Sequence, residues 1–260
     1  MIRDRTQELA DAVGTGNAIL FTGAGFSAEA HCCAGTPLPD SAQMARDLWA
    51  ILFPGEEPDE STLADLYDIA LVRAPDALRE YVATHLRIVD AALPDTFRSW
   101  FSAPWHRIYT LNVDDLEHAV ARQFGLPRRL RTVSALATPP PPLEDALDMI
   151  HLNGIAGDVA KQVTFSTMQY AARLARRDKA YERLVGDLGS HPIVFVGTKL
   201  DETVLWQHVE LEGSGPEGRP HSFIVTPSLS RARQILLEQH HIHWVQATAA
   251  EIAERLLQRI

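Results

Sequence analysis

Seven short apolar segments, separated by stretches of helical periodicity, constrain the fold of this chain most strongly. The segments lie at 18–21, 107–112, 129–133, 148–153, 192–197, 221–226 and 242–247. Helical patterns occur before, between and after them, at 4–15, 114–124, 201–211, 229–239 and 249–260. Strands that alternate with helices form parallel sheets covered on both faces. The sequence therefore predicts an α/β protein with a Rossmann-like, doubly wound, mostly parallel sheet.

Two stretches interrupt this alternation and predict a helical lobe beside the sheet. Residues 41–102 and 159–188 carry helical periodicity without a clear strand. The remaining segments, 1–40, 103–158 and 189–260, are assigned to the Rossmann-like core. A chain of 260 residues is long enough for one core with a small inserted lobe, so we expect a single domain over 1–260.

The composition argues against several classes of function. No apolar run reaches the ~20 residues that span a bilayer, so no membrane association is expected. The polar N-terminal segment lacks the apolar region of a secretory signal, which favours a cytoplasmic location. A formal net charge of −10 argues against direct binding of nucleic acid. The two cysteines, Cys32 and Cys33, are adjacent and cannot supply a four-thiolate site, so no zinc or other metal site is expected.

A glycine-rich turn follows the first predicted strand directly. It consists of Gly23, Ala24, Gly25, Phe26 and Ser27. Glycines there allow a tight turn and a close approach of the backbone to a pyrophosphate, which the following N–H groups can bind. An ordinary turn between strand and helix is the alternative, and the ring of Phe26 could either cover a ribose or pack in the core. The acidic residue that dehydrogenases carry about 20 positions further on is not evident, so a plain dehydrogenase fits poorly.

Four motifs in chain order resemble those of the sirtuin-like family. They are TGAGFS at 22–27 with GTPLPD at 35–40, TLNVDDL at 110–116, HLNG at 151–154 and VGTKL at 196–200. The motifs lie at the ends of predicted strands and cover nearly the whole chain. The resemblance implies a site for NAD, with the nucleotide serving as substrate.

The second motif carries two residues to which the resemblance assigns roles. The family's catalytic asparagine corresponds to Asn112, whose amide can both donate and accept and so suits a ribose hydroxyl or an attacking water. The aspartate that binds the nicotinamide carboxamide corresponds to Asp114. The alternative for Asp114, together with Asp115, is to cap the helix predicted at 115–124.

The motif after the fifth predicted strand supplies a further part of the dinucleotide site. Gly197, Thr198 and Lys199 match the family's turn at this point, and the resemblance implies that they bind the cofactor. Asp201 and Glu202 are expected to begin the helix that follows, where they can reach the adenosine side.

The position of the family's histidine is open in this sequence. Alignment on the glycine of the motif puts Asn153 immediately before Gly154, whereas His151 lies two residues earlier. If the strand continues, both side chains project to the same face. His151 is favoured as the catalytic base because an ordinary imidazole pKa of ~6.5 suits proton transfer near neutrality. Asn153 is its replacement or its neighbour in the cofactor site, and a structural histidine inside the sheet is the alternative.

Departures from the family's protein deacylases favour hydrolysis of NAD. Deacylases usually carry two C-x-x-C pairs in a zinc module between the histidine and the later strands, and that interval contains no cysteine here. The chain is more similar to bacterial sirtuin-like domains that cleave NAD to nicotinamide and ADP-ribose in anti-phage defence. That resemblance implies a sensor or activator partner, such as an Argonaute-like protein or an ATPase, or self-assembly. A protein deacylase and a non-catalytic module that binds NAD or ADP-ribose are the alternatives.

Overall fold

A sheet of seven parallel strands forms the centre of the molecule. The computed structural model describes residues 5–89, 92–138, 140–141, 143, 145–156, 163–175, 178–211 and 217–257. Within them the strands are β1 (Ile19–Thr22), β2 (Arg107–Thr110), β3 (Arg129–Ser134), β4 (Ala146–His151), β5 (Ile193–Val196), β6 (Ser222–Thr226) and β7 (Ile242–Gln246). All seven predicted strands are present, and the predicted fold class is confirmed.

The helices connect the strands and build the lobe. They are α1 (Arg5–Gly14), α2 (Ser41–Leu52), α3 (Leu63–Arg73), α4 (Pro75–His85), α5 (Asp95–Ser102), α6 (Leu116–Gln123), α7 (Thr167–Leu174), α8 (Lys179–Ser190), α9 (Thr203–Leu211), α10 (Arg231–Gln239) and α11 (Ala249–Leu257). A short 3₁₀ turn, Ala24–Phe26, follows β1. None of the helices in the described part of the chain combines the length and the apolar composition needed to cross a bilayer.

The strand order puts β4, β2, β1 and β5 side by side, so that their carboxyl ends are neighbours at one edge of the sheet. The order is β3-β4-β2-β1-β5-β6-β7, so the chain winds from β1 to one side and returns to the other side at β5. Thr22 lies in register with Thr110 and Val196, and Thr110 lies in register with His151. Parallel sheets bind ligands at such a reversal of winding, beyond the carboxyl ends of the strands. The topology therefore directs attention to the loops after β1, β2, β4 and β5.

Burial on both faces explains the sequence of the central strands. Every residue of β1 and β5 is buried, which is why these strands read as continuous apolar runs rather than as alternating patterns. One face of the sheet packs against α1, α5, α6 and α11. The other face packs against α8, α9 and α10. β3 lies at the edge and is only partly covered, and there Arg131 binds Asp148 of β4 through two hydrogen bonds.

The helical lobe is smaller than its predicted boundaries. Helices α2, α3 and α4 share an apolar cluster with Val163, and Phe165 packs against it. In contrast, α5 lies on the sheet, where Phe97, Trp100 and Phe101 join the main core. Helix α8 covers the opposite face. The periodicity of 41–102 and 159–188 identified helices correctly but not the surface that each helix covers, because that surface depends on the partner.

Candidate functional site

A cavity of about 280 Å³ lies between the carboxyl edge of the sheet and the helical lobe. Its size is near the lower end of the range of roughly 300–1,000 Å³ that small-molecule sites occupy. The wall contributed by the sheet side is polar and includes Ser27, Asn112, Asp114, Asn153 and Glu202. The wall contributed by the lobe and its connections is mostly apolar and includes Leu38, Met44, Leu63, Leu86 and Phe165. The cavity therefore offers an apolar surface opposite a set of hydrogen-bonding groups.

The loops after β1 and β5 are packed backbone against backbone. A Cβ atom on Gly23 would lie 2.7 Å from the carbonyl oxygen of Gly197, and one on Gly197 would lie 2.1 Å from the nitrogen of Phe26. Gly197 also has a φ of +71°, in the left-handed region that favours glycine. Within this contact Gly25 donates its N–H to the Gly197 carbonyl, and Phe26 donates to the Gly23 carbonyl. Two N–H groups that the sequence assigned to a pyrophosphate are thus bonded inside the protein.

Asn112 lies at the junction of these loops. Its amide nitrogen donates to the carbonyl of Gly23 at 3.0 Å and to the hydroxyl of Ser27 at 2.9 Å. Its backbone N–H is held by Thr110 Oγ1 at 3.0 Å. Because both amide hydrogens are used, the carbonyl oxygen Oδ1 is the atom that this side chain presents as an acceptor. The predicted catalytic residue is therefore held rigidly at the cavity wall.

The adjacent aspartates Asp114 and Asp115 have separate tasks. Asp114 lines the cavity and accepts the N–H of Leu116 at 3.1 Å, so that it also serves the first turn of α6. Asp115 accepts the N–H of Ile88 at 2.7 Å and thereby ties the segment after α4 to the loop after β2. Burial, followed by the nearby charge of Glu117, raises the pKa of Asp114 to about 6. Asp114 is thus a carboxylate that can exchange a proton near neutral pH.

His151 lies behind Asn112 and outside the lining of the cavity. It is fully buried, with Nδ1 2.9 Å from the backbone carbonyl of Asn112 and Nε2 3.1 Å from Glu117 Oε1. The Asn112 carbonyl is an acceptor, and so is Glu117 when it is ionised, so this arrangement favours the doubly protonated ring. Burial by itself lowers the pKa of His151, but the Glu117 carboxylate outweighs it, and the pKa is raised. His151 is thus buried behind the cavity rather than in its lining, and its role as base stays a prediction.

Asn153, and not His151, lines the cavity. The sequence alone left open which of these two residues does so. Strand β4 ends at His151, and the chain turns at 152–154 before it enters the lobe. Asn153 Nδ2 donates to the carbonyl of Leu111 at 3.1 Å. The side chain is only 6 % exposed, and no described residue donates to its oxygen Oδ1. An asparagine, which has no basic site, therefore lines the cavity at the turn after β4.

The structure thus brings together the predicted residues Ala24, Ser27, Asn112, Asp114 and Asn153 around one cavity. The chain matches no model of a known protein family and no curated protein sequence. The geometry of the described residues is consequently the basis for what the cavity can bind.

Six predicted site residues other than His151 lie away from the cavity lining. They are Gly23, Gly25, Phe26, Gly197, Thr198 and Lys199. The ring of Phe26 packs edge-on against Phe97, Trp100 and Phe101, so the alternative of simple packing is the one observed. Gly197 supports the contact between the two loops described above. Lys199 is exposed. Thr198 is buried, accepts the N–H of Leu200 and donates its hydroxyl to Glu202 at 2.7 Å.

Two residues of the site, Glu117 and Tyr170, were not assigned to it from the sequence, and a third, Glu202, was expected only to begin a helix and reach the adenosine side. Glu117 is fully buried as the partner of His151, and it also accepts the hydroxyl of Thr132 at 2.6 Å. Tyr170 of α7 lines the cavity beside Asn153. Glu202 lines it as well, whereas its neighbour Asp201 is exposed. In the described part of the chain, no group of three or more His, Cys, Asp or Glu side chains is arranged to hold a metal ion.

Proposed function

We propose that this chain binds NAD in the cavity and hydrolyses the bond between nicotinamide and ribose. The observation that carries the proposal is the convergence of Asn112 and Asp114 on one cavity at the edge where the winding of the sheet reverses. Ser27 joins them, because its hydroxyl accepts from Asn112 and lies close enough to Asp114 to lower the pKa of that carboxyl in part. The order of the four sequence motifs supports the same assignment.

Cleavage of the bond between nicotinamide and ribose does not require protonation of the leaving group. Nicotinamide is a cationic pyridinium while it is bound to ribose, and it departs as a neutral molecule with the electron pair of the broken bond. No general acid is needed. The site has to orient the ribose and a water and to stabilise the cationic sugar that develops. The Oδ1 atom of Asn112 is an acceptor that can hold a ribose hydroxyl or the attacking water.

A base is required for the water, which loses one proton as its oxygen bonds to the anomeric carbon. We assign this role to Asp114 instead of His151, because Asp114 lines the cavity and its pKa of about 6 leaves it mostly ionised at neutral pH. The products are nicotinamide, ADP-ribose and a proton. In this scheme the His151–Glu117 pair is a positioning device, since His151 donates to the backbone carbonyl of Asn112.

Incubation of the purified chain with NAD tests the proposal directly. Chromatography is expected to show nicotinamide and ADP-ribose in equal amounts. Asn112→Ala should abolish their formation, and its melting temperature reports whether the fold is retained. Asn17→Ala is the matched control, because Asn17 is exposed and precedes β1 at the opposite edge of the sheet. Turnover of an acetyl-lysine peptide, with NAD intact in its absence, would replace hydrolase by deacylase.

A second function is favoured by one observation, the presence of Asn153 where a histidine is expected. A chain without that base could bind NAD or ADP-ribose and regulate an assembly without cleaving either. Calorimetric titration separates the two functions. Heat of binding without release of nicotinamide, including when a partner is supplied, would favour the binding module.

The resemblance extends the proposal to the biological setting. We propose a cytoplasmic effector of bacterial anti-phage defence that depletes NAD when a sensor partner or self-assembly activates it. Expression of the wild type, but not of Asn112→Ala, is then expected to lower cellular NAD and arrest growth once the trigger is present. Equal NAD levels in the two strains would contradict this setting.

A further inference from the structure

Two buried acceptor atoms on the cavity wall have no donor among the described residues. They are Oδ1 of Asn153 and Oε2 of Glu202, and both residues line the cavity. A buried acceptor without a partner costs roughly 1–3 kcal/mol, so such atoms are uncommon without a reason. Because both residues line one cavity, a ligand that donates hydrogen bonds there can supply the missing partners.

Glu202 is held in place from its other side. Oε1 accepts the hydroxyl of Thr198 at 2.7 Å, and Thr198 in turn accepts the N–H of Leu200 at 2.9 Å. Helix α9 begins immediately afterwards at Thr203. The carboxylate is therefore fixed before any ligand binds, with Oε1 occupied by the protein and Oε2 buried without a hydrogen-bond partner among the described residues.

Tyr170 completes the wall between these acceptors. It lines the cavity, and its side chain interacts with that of Asn153. Burial is the main cause of its raised pKa of about 12, so the phenol stays protonated and its O–H is a donor that Asn153 and a ligand can share. Two acceptors and one donor complement hydroxyl groups, which both donate and accept. A phosphate offers only acceptors and therefore does not complement two acceptor oxygens.

We propose that Asn153 and Glu202 form a subsite for the vicinal hydroxyls of a ribose. The inference rests on the proposed binding of NAD and adds which part of the ligand this wall recognises. NAD contains two riboses, so the shared chemistry is a ribose diol, and the choice between the adenine and nicotinamide riboses is left to experiment. A 2′-phosphate on the bound ribose would meet the Glu202 carboxylate and be excluded.

Calorimetric titration of Glu202→Gln tests this subsite without reference to activity. The amide can still accept from Thr198, but it presents N–H groups in place of the acceptor oxygen. The affinity for NAD is expected to fall about tenfold or more, as the loss of a hydrogen bond to a charged group implies. Asp201→Asn is the matched control, since it removes the same charge from the exposed neighbour and should bind NAD like the wild type. Melting temperatures of both variants monitor the fold.

The choice of titrant identifies the ribose. If the subsite binds the adenine ribose, Glu202→Gln weakens ADP and ADP-ribose, and the wild type binds NADP less tightly than NAD. If it binds the nicotinamide ribose, the variant weakens nicotinamide mononucleotide and ADP-ribose but leaves ADP unchanged. Unchanged affinities in Glu202→Gln, or equal losses in Asp201→Asn, would overturn the subsite while the proposed function stands. A wild type that binds none of these nucleotides would overturn both.

Discussion

Asp114 and Glu117 are two buried carboxylates about one helical turn apart, and their environments push their pKa values in opposite directions. Burial raises the pKa of Asp114, and only weak opposing contacts act against it. Burial also raises the pKa of Glu117, but His151 and Thr132 more than offset that effect, so the pKa is lowered. The cavity side of the cluster thus keeps a carboxylate that can take up a proton, whereas the layer behind it is a closed ion pair.

Burial alone therefore does not determine the pKa of a carboxylate. Glu117 has a charged partner at 3.1 Å and a hydroxyl donor at 2.6 Å, and it is inaccessible to solvent. Asp114 has a backbone donor and the open side of a cavity. Paired groups with divergent pKa values are typical of sites in which one group reacts and the other supports it. The comparison predicts that the two residues respond oppositely to the same chemical change.

The largest effect is expected for Asp114→Asn. Loss of the base should lower the rate of NAD cleavage about 10²–10⁴-fold. Stability should move in the other direction, because the pKa is raised from 3.8 to about 6 and the ionised form is therefore disfavoured in the folded state. The free energy of unfolding at pH 8 should rise by up to ~3 kcal/mol, since one pKa unit corresponds to ~1.36 kcal/mol. Stopped assays with NAD measure the rate of cleavage, and urea unfolding measures the free energy of unfolding. Asp201→Asn is the control for both measurements.

An Asp114→Asn variant that still cleaves NAD at the wild-type rate would remove the assignment of Asp114 as base. A variant that is less stable than the wild type at pH 8 would show that the carboxylate is stabilised in the folded state, which is the reverse of the difference described above.

Glu117→Gln is expected to change stability most. The substitution leaves His151 without its counter-charge, and removal of one partner of a buried ion pair costs roughly 3–5 kcal/mol. Urea unfolding of this variant against Glu80→Gln, an exposed glutamate of α4, isolates the contribution of the pair. Similar unfolding free energies in the two variants would mean that the buried pair contributes little.

The fold could be predicted because each strand carries its own signal. Continuous apolar runs identified β1 and β5, since these strands are covered on both faces. The position of Asn112 and Asp114 beside the cavity could also be predicted, because both lie in one short loop at a strand end. These predictions required only short continuous segments of the sequence.

The positions of His151 and Asn153 relative to the cavity could not be predicted, because they depend on where β4 ends. Alternation along a strand puts both side chains on one face, but the strand stops at His151 and the chain turns. The partner of His151 is Glu117, 34 residues away, and it gave no signal beyond that of an acidic residue in the first turn of a helix. Their contact exists only because α6 packs beside β3 and β4. Tyr170 likewise reaches the cavity from a helix that the sequence assigned to the lobe without a site role.

The pH dependence of stability should separate the two carboxylates further. Asp114 has a raised folded pKa, so its unfavourable contribution grows as the pH rises from about 4 to about 6 and is complete above that. Glu117 has a lowered folded pKa, so its favourable contribution is present above 4.5 and is lost as the pH falls through the folded value. The stability difference between Asp114→Asn and wild type should therefore widen between pH 4 and pH 6, and the rate of NAD cleavage should rise through about pH 6. A difference that stays constant over this interval would contradict the raised pKa.

Ser27→Ala should have the smallest effect and shows how far the two sides of the cluster are coupled. The substitution removes one acceptor from the Asn112 amide, at 2.9 Å, and leaves the bond to Gly23 and the His151 contact with the backbone unchanged. The free energy of unfolding should fall by about 1 kcal/mol. Because Ser27 also lowers the pKa of Asp114 in part, its loss should shift the pH–rate profile to higher pH. A pH–rate profile that keeps its midpoint while the rate falls would mean that Ser27 acts on Asn112 alone. The pKa of Asp114 would then be determined by burial and by Glu117.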